Sequence, residues 1–236
     1  MTQSPPPASG GNSLLDRFPP DVRQRLEITE KRHDSYDVVG EADELPRFAY
    51  FPHLGTVVSL TRTTEAGGTV EVGIVGWEGV SAAQALLWPR AMGSDAVVQV
   101  PGTMSRVPFA TLRAAMNESE PVRELLLNFA GGFLSQVSQH ATCNRMHSIE
   151  QRLAKWLLTV RDRTATDELE LTHEFLSHML GTRRAGATVA VGALALDGLV
   201  DHGRGRLRIL DRDGLEERTC ECYRVVRDLS PPLPSR

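Results

Sequence analysis

Two consecutive arginines, Arg183 and Arg184, stand where a short glycine-containing turn gives way to a helical pattern. An arginine can bond a guanine edge through two parallel hydrogen bonds, and the first residues of a recognition helix are those that reach base edges. Thr188 follows one helical turn later and adds a hydroxyl suited to base edges. These residue types at this spacing predict recognition of double-stranded DNA in the major groove.

A second cationic segment follows, in which arginines alternate with glycines between two short apolar runs. Such a pattern is typical of a β-hairpin tip, and a wing of this kind places its cations against phosphate oxygens. The whole chain has a formal charge of −4, but residues 183–208 carry five arginines against two aspartates, a local charge of +3. We therefore assign Arg204 and Arg206 to DNA contacts.

The histidines do not form a catalytic or metal-binding pattern. His173 and His178 are five residues apart, so on a helix their side chains point about 140° apart and cannot share one metal ion. A β-roll metalloenzyme needs a His-x-His pair with further ligands, and His53 stands alone among the predicted strands. We therefore predict no enzyme activity, no metal and no cofactor.

The cysteines are Cys143, Cys220 and Cys222. An odd number, with no basic start leading into an apolar stretch, is typical of a reduced protein, and we expect a cytoplasmic location. No run approaches the roughly 18 apolar residues of a membrane span, so no membrane contact is expected. A redox role for Cys220 and Cys222 is conceivable, but no basic neighbourhood in the sequence marks a reactive thiolate, and we interpret all three as inert.

The DNA-reading residues require a helix-turn-helix to position them. Within residues 171–190, Thr172 is placed to cap the first helix and to lie at the DNA interface, and Gly181 supplies the turn. Leucines such as Leu176 recur on the inward face. Interior glycines such as Gly192 each cost the second helix about 1 kcal/mol relative to alanine, so packing has to hold it.

An apolar stripe recurs at steps of three or four along a long helical pattern that precedes this domain. Its members are Val122, Leu126, Phe129, Phe133 and Val137. Such a stripe can face its own domain or a second copy of the chain. Because two-fold dimers are the commonest oligomers, we assign it to a homodimer interface. Ser148, with Gln151 three residues on, predicts a capping box that starts the next helix.

The N-terminal part consists of short Val- and Thr-rich runs separated by turn residues, notably at 55–61, 69–75 and 96–100. Runs at this spacing indicate an antiparallel roll. We predict an α+β protein with an N-terminal antiparallel β-roll that resembles a jelly roll, a long dimerisation helix and a C-terminal winged helix-turn-helix. The predicted parts are a disordered tail at 1–12, the sensor roll at 13–120, the helix at 121–147, the winged domain at 148–223 and a tail at 224–236.

In this order, the parts resemble the Crp/Fnr superfamily of bacterial transcription regulators. The most specific segments are residues 143–158, residues 168–176 and Cys220-Glu-Cys-Tyr223, and the resemblance covers residues 11–223. It implies a homodimer on a near-palindromic operator and a roll of the cyclic-nucleotide-binding type that senses a signal. RNA polymerase is a candidate further partner.

The effector does not follow from the resemblance. Nucleotide-binding members have a Gly-Glu segment followed by an Arg-Ser or Arg-Thr pair that holds the cyclic phosphate. Residues 76–82 keep the glycine and the glutamate, but Arg90 is displaced and Asp95 would repel a phosphate. Cyclic AMP is therefore disfavoured, and the effector is left unknown. No cysteine precedes Cys143, which excludes the iron–sulfur cluster of other members.

The operator is equally open. The commonest pattern of the superfamily has Glu and Arg where this chain has Ala185 and Val189, so its operator sequence is not carried over. An alternative function is a ligand-binding roll whose C-terminal half only mediates protein contacts. Binding to heparin or random duplex with a steep salt dependence would separate the two, since the alternative lacks it.

Overall fold

The computed structural model describes residues 10–88, 91–203 and 205–229. Short helices lead into the strands, and longer helices follow them. In chain order the elements are α1 (Ser13–Asp16), α2 (Pro20–Arg23), β1 (Thr29–His33), β2 (Val38–Gly40), β3 (Phe48–Pro52), β4 (Val57–Thr63), β5 (Thr69–Val75), α3 (Ala83–Leu87), β6 (Asp95–Val100), β7 (Gly102–Pro108), α4 (Phe109–Glu118), α5 (Glu120–Met146), α6 (Ile149–Thr164), β8 (Glu168–Glu170), α7 (His173–Met179), α8 (Arg184–Leu196), β9 (Val200–Gly203), β10 (Arg206–Ile209), α9 (Arg212–Glu217) and α10 (Cys222–Asp228).

The predicted antiparallel roll is confirmed, and the three Val- and Thr-rich runs form β4, β5 and β6. A four-stranded sheet has the order β2-β6-β4-β5 and a three-stranded sheet the order β1-β7-β3, with antiparallel pairing throughout. Because side chains alternate along a strand, Val58 and Leu60 enter the roll core while Ser59 lies on the opposite face. Strand β1 was not predicted, because four of its five residues are exposed and its sequence shows no alternation of apolar and polar residues.

Helix α5 runs for 27 residues, about 40 Å, and packs on the roll of its own chain. Phe133 lies over Gly73, where a Cβ atom would come within 2.6 Å of the ring, and Phe129 lies over Gly79 in the same way. The rings fill the space between the helix and the roll. Within the described residues, no helix is both long and apolar enough to cross a membrane.

This packing corrects the predicted dimer interface. The residues assigned to it, Val122, Leu126, Phe129, Phe133 and Val137, belong to the roll core or pack against it. Val122 and Leu126 are completely buried within the single chain, so they offer no surface to a second copy. The stripe has the predicted helical period, but the surface on which it packs is the roll of the same chain.

The C-terminal half begins at the predicted capping box. The Ser148 hydroxyl accepts the N–H of Gln151 at 3.2 Å, and the Gln151 side chain accepts the N–H of Ser148 at 3.1 Å. Helix α6 then buries an apolar face that includes Leu153 and Leu157 among α7, α8 and the small β8-β10-β9 sheet. The predicted division of the chain at residue 148 stays a prediction.

Both predicted tails are shorter than expected where the structure describes them. The buried Asn12 side chain donates to the carbonyl oxygens of Pro52 and Gly79, each at 2.8 Å, so residue 12 is part of the roll. Helix α10 continues through Asp228 and buries Val226. Residues 1–9 and 230–236 lie outside the described residues.

The outer face of the four-stranded sheet packs directly on α6. Glu71 is fully buried there, and its carboxylate accepts hydrogen bonds from the Ser59 hydroxyl at 2.6 Å and from the Trp156 indole N–H at 3.5 Å. Burial raises the pKa of Glu71 to about 7, although the Ser59 hydrogen bond and the positive charge of Lys155 oppose the shift. The carboxyl is therefore protonated in the folded chain at pH values where it is ionised in the unfolded chain.

This difference predicts that folding loses stability as pH rises. Between the unfolded pKa near 4.5 and the folded pKa of about 7, the folded chain binds the proton and the unfolded chain does not. The free energy of unfolding should therefore fall across this window by roughly 2–4 kcal/mol and then level off, and Glu71→Gln should abolish that fall. Urea titrations at pH 5, 6, 7 and 8 measure it.

Glu65→Gln, an exposed change in the β4–β5 turn, is the matched control and should leave the pH dependence intact. A stability difference between wild type and Glu71→Gln that stays constant from pH 5 to pH 7 would contradict the assignment.

Candidate nucleic-acid interface

The turn between α7 and α8 has the predicted helix-turn-helix geometry. The Thr172 hydroxyl caps α7 by accepting the N–H of Phe175 at 3.1 Å. Gly181 has a φ of +55°, a conformation that favours glycine, and the carbonyl of Ser177 accepts the N–H of Thr182 at 2.9 Å. These local bonds define the turn after which α8 begins.

Packing holds α8 despite its glycines, as expected. Leu176 and Leu180 of the preceding segment are buried in the same cluster as the inner face of α8. The inner-face residues are Ala187, Ala190, Val191 and Leu194. Gly186 allows α8 to approach α6, because even a Cβ atom there would lie 3.1 Å from Ile149 Cδ1.

The opposite face of α8 is open to solvent. Arg183, Arg184, Ala185 and Thr188 are all exposed on it, and Val189 is 69% exposed. Among the described residues, the ion pairs of the C-terminal arginines involve residues such as Arg206 and Arg218, and neither Arg183 nor Arg184 takes part in one. Val189 is an exposed apolar residue on this face, and sequence reasoning did not include it among the site residues.

Thr188 is held by its neighbours. Its hydroxyl donates to the carbonyl of Arg184 at 3.0 Å and lies 3.0 Å from Nδ1 of His173. Burial lowers the pKa of His173, and the charges of His202 and Arg184 lower it further, which favours the neutral ring near pH 7. The hydroxyl is thus engaged inside the protein. His173 and His202, whose ring centroids are 5.8 Å apart, line the groove beside the start of α8, and sequence reasoning did not place them there.

The predicted wing is the hairpin β9–β10. Nη1 of Arg206 lies 3.0 Å from a carboxylate oxygen of Glu168 on β8, so a phosphate would have to compete with this exposed ion pair. Arg204 lies outside the described residues. Asp197 pairs with Arg218, which neutralises one of the two aspartates near the arginines. A groove of about 300 Å³ separates the wing from the start of α8.

In the roll, residues 76–82, which were compared with a nucleotide-binding segment, contain a glutamate that is paired with an arginine of the same chain. Nε of Arg163 donates to Oε1 of Glu78 at 2.8 Å, and both side chains are buried. Asp95 accepts the N–H of Ala42 at 2.8 Å, which explains its presence on β6 without a ligand. Arg90 lies outside the described residues.

Comparison with known proteins agrees with this geometry. Residues 151–218 match the family of Crp-like helix-turn-helix domains. No curated protein matches the chain.

Solved structures of Crp/Fnr regulators share the fold. A putative regulator of that family from Eubacterium rectale is 16% identical, with a TM-score of 0.68 over 87% of this chain and 97% of its own. FixK2 from Bradyrhizobium japonicum is 17% identical, with a TM-score of 0.70 over 83% and 98%. A family member from Thermus thermophilus is 20% identical, with a TM-score of 0.64 over 80% and 97%. At these identities the likeness establishes the fold.

Two glycine substitutions test how the turn before α8 and the interior of α8 contribute to stability. Gly181→Ala should destabilise the chain by about 1–2 kcal/mol, because alanine is strained at positive φ, and its Cβ atom would lie 2.9 Å from Val70 Cγ2. Gly192→Ala should stabilise the chain by up to about 1 kcal/mol, because this site lies inside α8 with open space around it. Urea unfolding measures both. Equal effects of the two changes would contradict the assigned turn.

Proposed function

We propose that this chain, which has the Crp/Fnr fold and whose residues 151–218 form a Crp-like helix-turn-helix domain, is a homodimeric transcription regulator that binds a near-palindromic operator in the cytoplasm. The observation that carries the proposal is the pair of exposed arginines without ion-pair partners among the described residues, Arg183 and Arg184, at the start of α8. A recognition helix uses these positions to reach base edges.

Helix α8 and the wing would have different roles in DNA binding. Helix α8 would enter the major groove, where Arg184 bonds a guanine and Val189 contacts a thymine methyl group. Arg204 and Arg206 on the wing would contact phosphate, which positions the protein without reading sequence. Thr172 and Thr188, the remaining members of the predicted DNA-binding set, lie at the edge of the same surface. Because their hydroxyls bond within the chain, they would hold the surface in place and would not read bases directly.

A second copy of the chain would pack on the solvent face of α5. Leu127 and Leu134 are 43% and 60% exposed there. They are seven residues apart and therefore lie on the same side of the helix. Gly131 is exposed between them and would allow two helices to approach closely. A two-fold axis along this face would present two copies of α8 to two half-sites.

Leu134→Glu should convert the dimer to a monomer. A carboxylate in this interface loses water without gaining a partner, which should weaken association by at least about 100-fold, or roughly 3 kcal/mol. Light scattering at micromolar concentration measures the mass. Leu45→Glu makes the same change on an exposed loop of the roll and should stay dimeric. A monomeric wild type, or a dimeric Leu134→Glu, would contradict the interface.

A signal in the roll would reach α8 through α6. Between the sheet and α7 lies a cleft of about 430 Å³, lined by groups that include Gln99, Phe175 and Met179. The ring of Tyr36, a residue with a φ of +74°, stands 5.6 Å from the ring of Phe175 at its edge. An effector in this cleft would touch both halves of the chain. Cyclic AMP is disfavoured because Arg163 already holds Glu78 and the aromatic rings of α5 fill the roll groove.

Reading and positioning can be separated by mutation. Arg184→Ala should cost about 1–3 kcal/mol on a selected cognate duplex and relax the preference at one base pair per half-site, because the forked bond is removed. Its affinity for scrambled duplex should hardly change. Arg206→Ala should weaken both duplexes alike and lower the salt slope by about 1 for each phosphate that the protein no longer neutralises. Fluorescence titrations at several salt concentrations supply all of these quantities.

Two further variants sharpen the comparison. Glu168→Gln releases Arg206 from its ion pair and should tighten both duplexes, the opposite of Arg206→Ala. Arg25→Ala removes an exposed arginine of the lead-in and should change nothing. Should Arg184→Ala weaken both duplexes equally, Arg184 is a phosphate contact and the reading role passes to Arg183.

A further inference from the structure

Three cysteines and a histidine meet where α5 ends. Cys143 lies in the last turn of α5 and His147 is its C-cap residue, while Cys220 and Cys222 stand just before and at the start of α10. One ligand atom from each residue lies within 4.8 Å of those of the other three. The folded chain thus brings together thiols that are 77 residues apart in the sequence.

Two of the distances between these atoms match a tetrahedral zinc site, and none of the others exceeds 4.8 Å. With Zn–S bonds of about 2.3 Å and Zn–N bonds of about 2.0 Å, neighbouring ligand atoms of a tetrahedron stand about 3.5–3.8 Å apart. Sγ of Cys143 lies 3.6 Å from Sγ of Cys220, and Sγ of Cys222 lies 3.5 Å from Nδ1 of His147. The sulfur atoms are too far apart for a disulfide, and all three cysteines are free.

We propose that Cys143, His147, Cys220 and Cys222 bind one Zn²⁺ ion. Three thiolates and one imidazole are a donor set that zinc prefers in structural sites, and four protein ligands fill its tetrahedral shell. The site leaves no position for a substrate, since the three cysteines are all buried. Zinc binding would release to solvent the protons of those thiols that are still protonated.

Neighbouring groups orient the ligands as they do in known zinc sites. The other ring nitrogen of His147, Nε2, faces a carboxylate oxygen of Glu221 at 3.4 Å, which favours the tautomer that leaves Nδ1 free for the metal. The side-chain amide of Gln139 donates to Sγ of Cys222 at 3.0 Å. Both contacts would persist with a metal bound.

Two cations of α6 lie near the cluster. Lys155, which is buried on α6, and Arg152 interact electrostatically with Cys143. A site of three thiolates, a neutral histidine and Zn²⁺ carries one net negative charge, which these nearby cations would stabilise. The basic neighbourhood that the sequence lacked is supplied by α6.

The ion would join the end of the chain to the end of α5. Helix α10 would be tied to the last turn of α5, immediately before the capping box at Ser148 from which the C-terminal half departs. Zinc would therefore stabilise the junction between α5 and α6 and would not touch DNA. The inference does not depend on the proposed function.

Metal analysis of the purified full-length chain tests the site. Reduced wild type is mixed with equimolar Zn²⁺ and passed through gel filtration. It should then retain about one zinc ion per chain, measured by elemental mass spectrometry. Cys220→Ser, Cys222→Ser and His147→Ala should each lose it, and His178→Ala, at an exposed histidine outside the cluster, should keep it. Substitution with Co²⁺ should give the sulfur-to-metal absorption and visible bands of a tetrahedral thiolate site.

A variant at Glu221 keeps the test decisive if loss of a ligand unfolds the chain. Glu221→Gln leaves all four ligands in place but weakens the orientation of His147, and it should lower zinc affinity by about 10- to 100-fold in competition with a chelator. Glu217→Gln, an exposed change four residues earlier, should not. Wild type that retains no zinc, retains iron instead, or forms a Cys143–Cys220 disulfide under reducing conditions would overturn the proposal, as would full zinc retention by the cysteine variants.

Discussion

A buried ion pair, Arg163 with Glu78, fixes how the two halves of the chain meet. Breaking one side of such a pair leaves an uncompensated buried charge and typically costs about 3–5 kcal/mol. Helix α6 carries Arg163, and α8 packs on the same helix, so the pair also constrains the position of α8, where Arg184 is exposed at the first residue. Any reorientation of α8 relative to the roll would disturb this contact or the Glu71 network beside it.

The Arg163–Glu78 pair also bears on whether the roll can bind a cyclic nucleotide. Glu78 stands in the segment where nucleotide-binding relatives present a glutamate, but here the partner of that carboxylate is an arginine of the C-terminal half. Phe129 and Phe133 occupy the adjoining groove between α5 and the roll. The roll thus uses this face to hold the C-terminal half, and a cleft of about 430 Å³ lies between the four-stranded sheet and α7.

Local signals made much of the fold and of the reading surface predictable. The capping box at Ser148, the cap at Thr172 and the turn at Gly181 each depend on a few adjacent residues, and all three have the expected geometry. The positions of Arg183 and Arg184 follow from that turn, so their exposure at the start of α8 was predictable too.

Features that depend on distant partners were not predictable in this way. Periodicity showed that α5 has an apolar face, but only the fold shows that the roll covers it. The ion pair of Arg206 requires a strand 38 residues away. The cysteine cluster requires α10 to return to α5. One partial signal was present, because Cys143 and His147 are four residues apart and therefore share a face of the helix.

The central claim is that two copies of α8 read one symmetric DNA site. Selection of bound sequences from a random duplex library, with the full-length protein at physiological salt, tests it most directly. We expect an enriched two-fold symmetric site whose half-sites are centred about 10–10.5 base pairs apart, one turn of DNA, or a multiple of that spacing. Recovery of no enriched sequence, or of a single half-site without its symmetric mate, would contradict it.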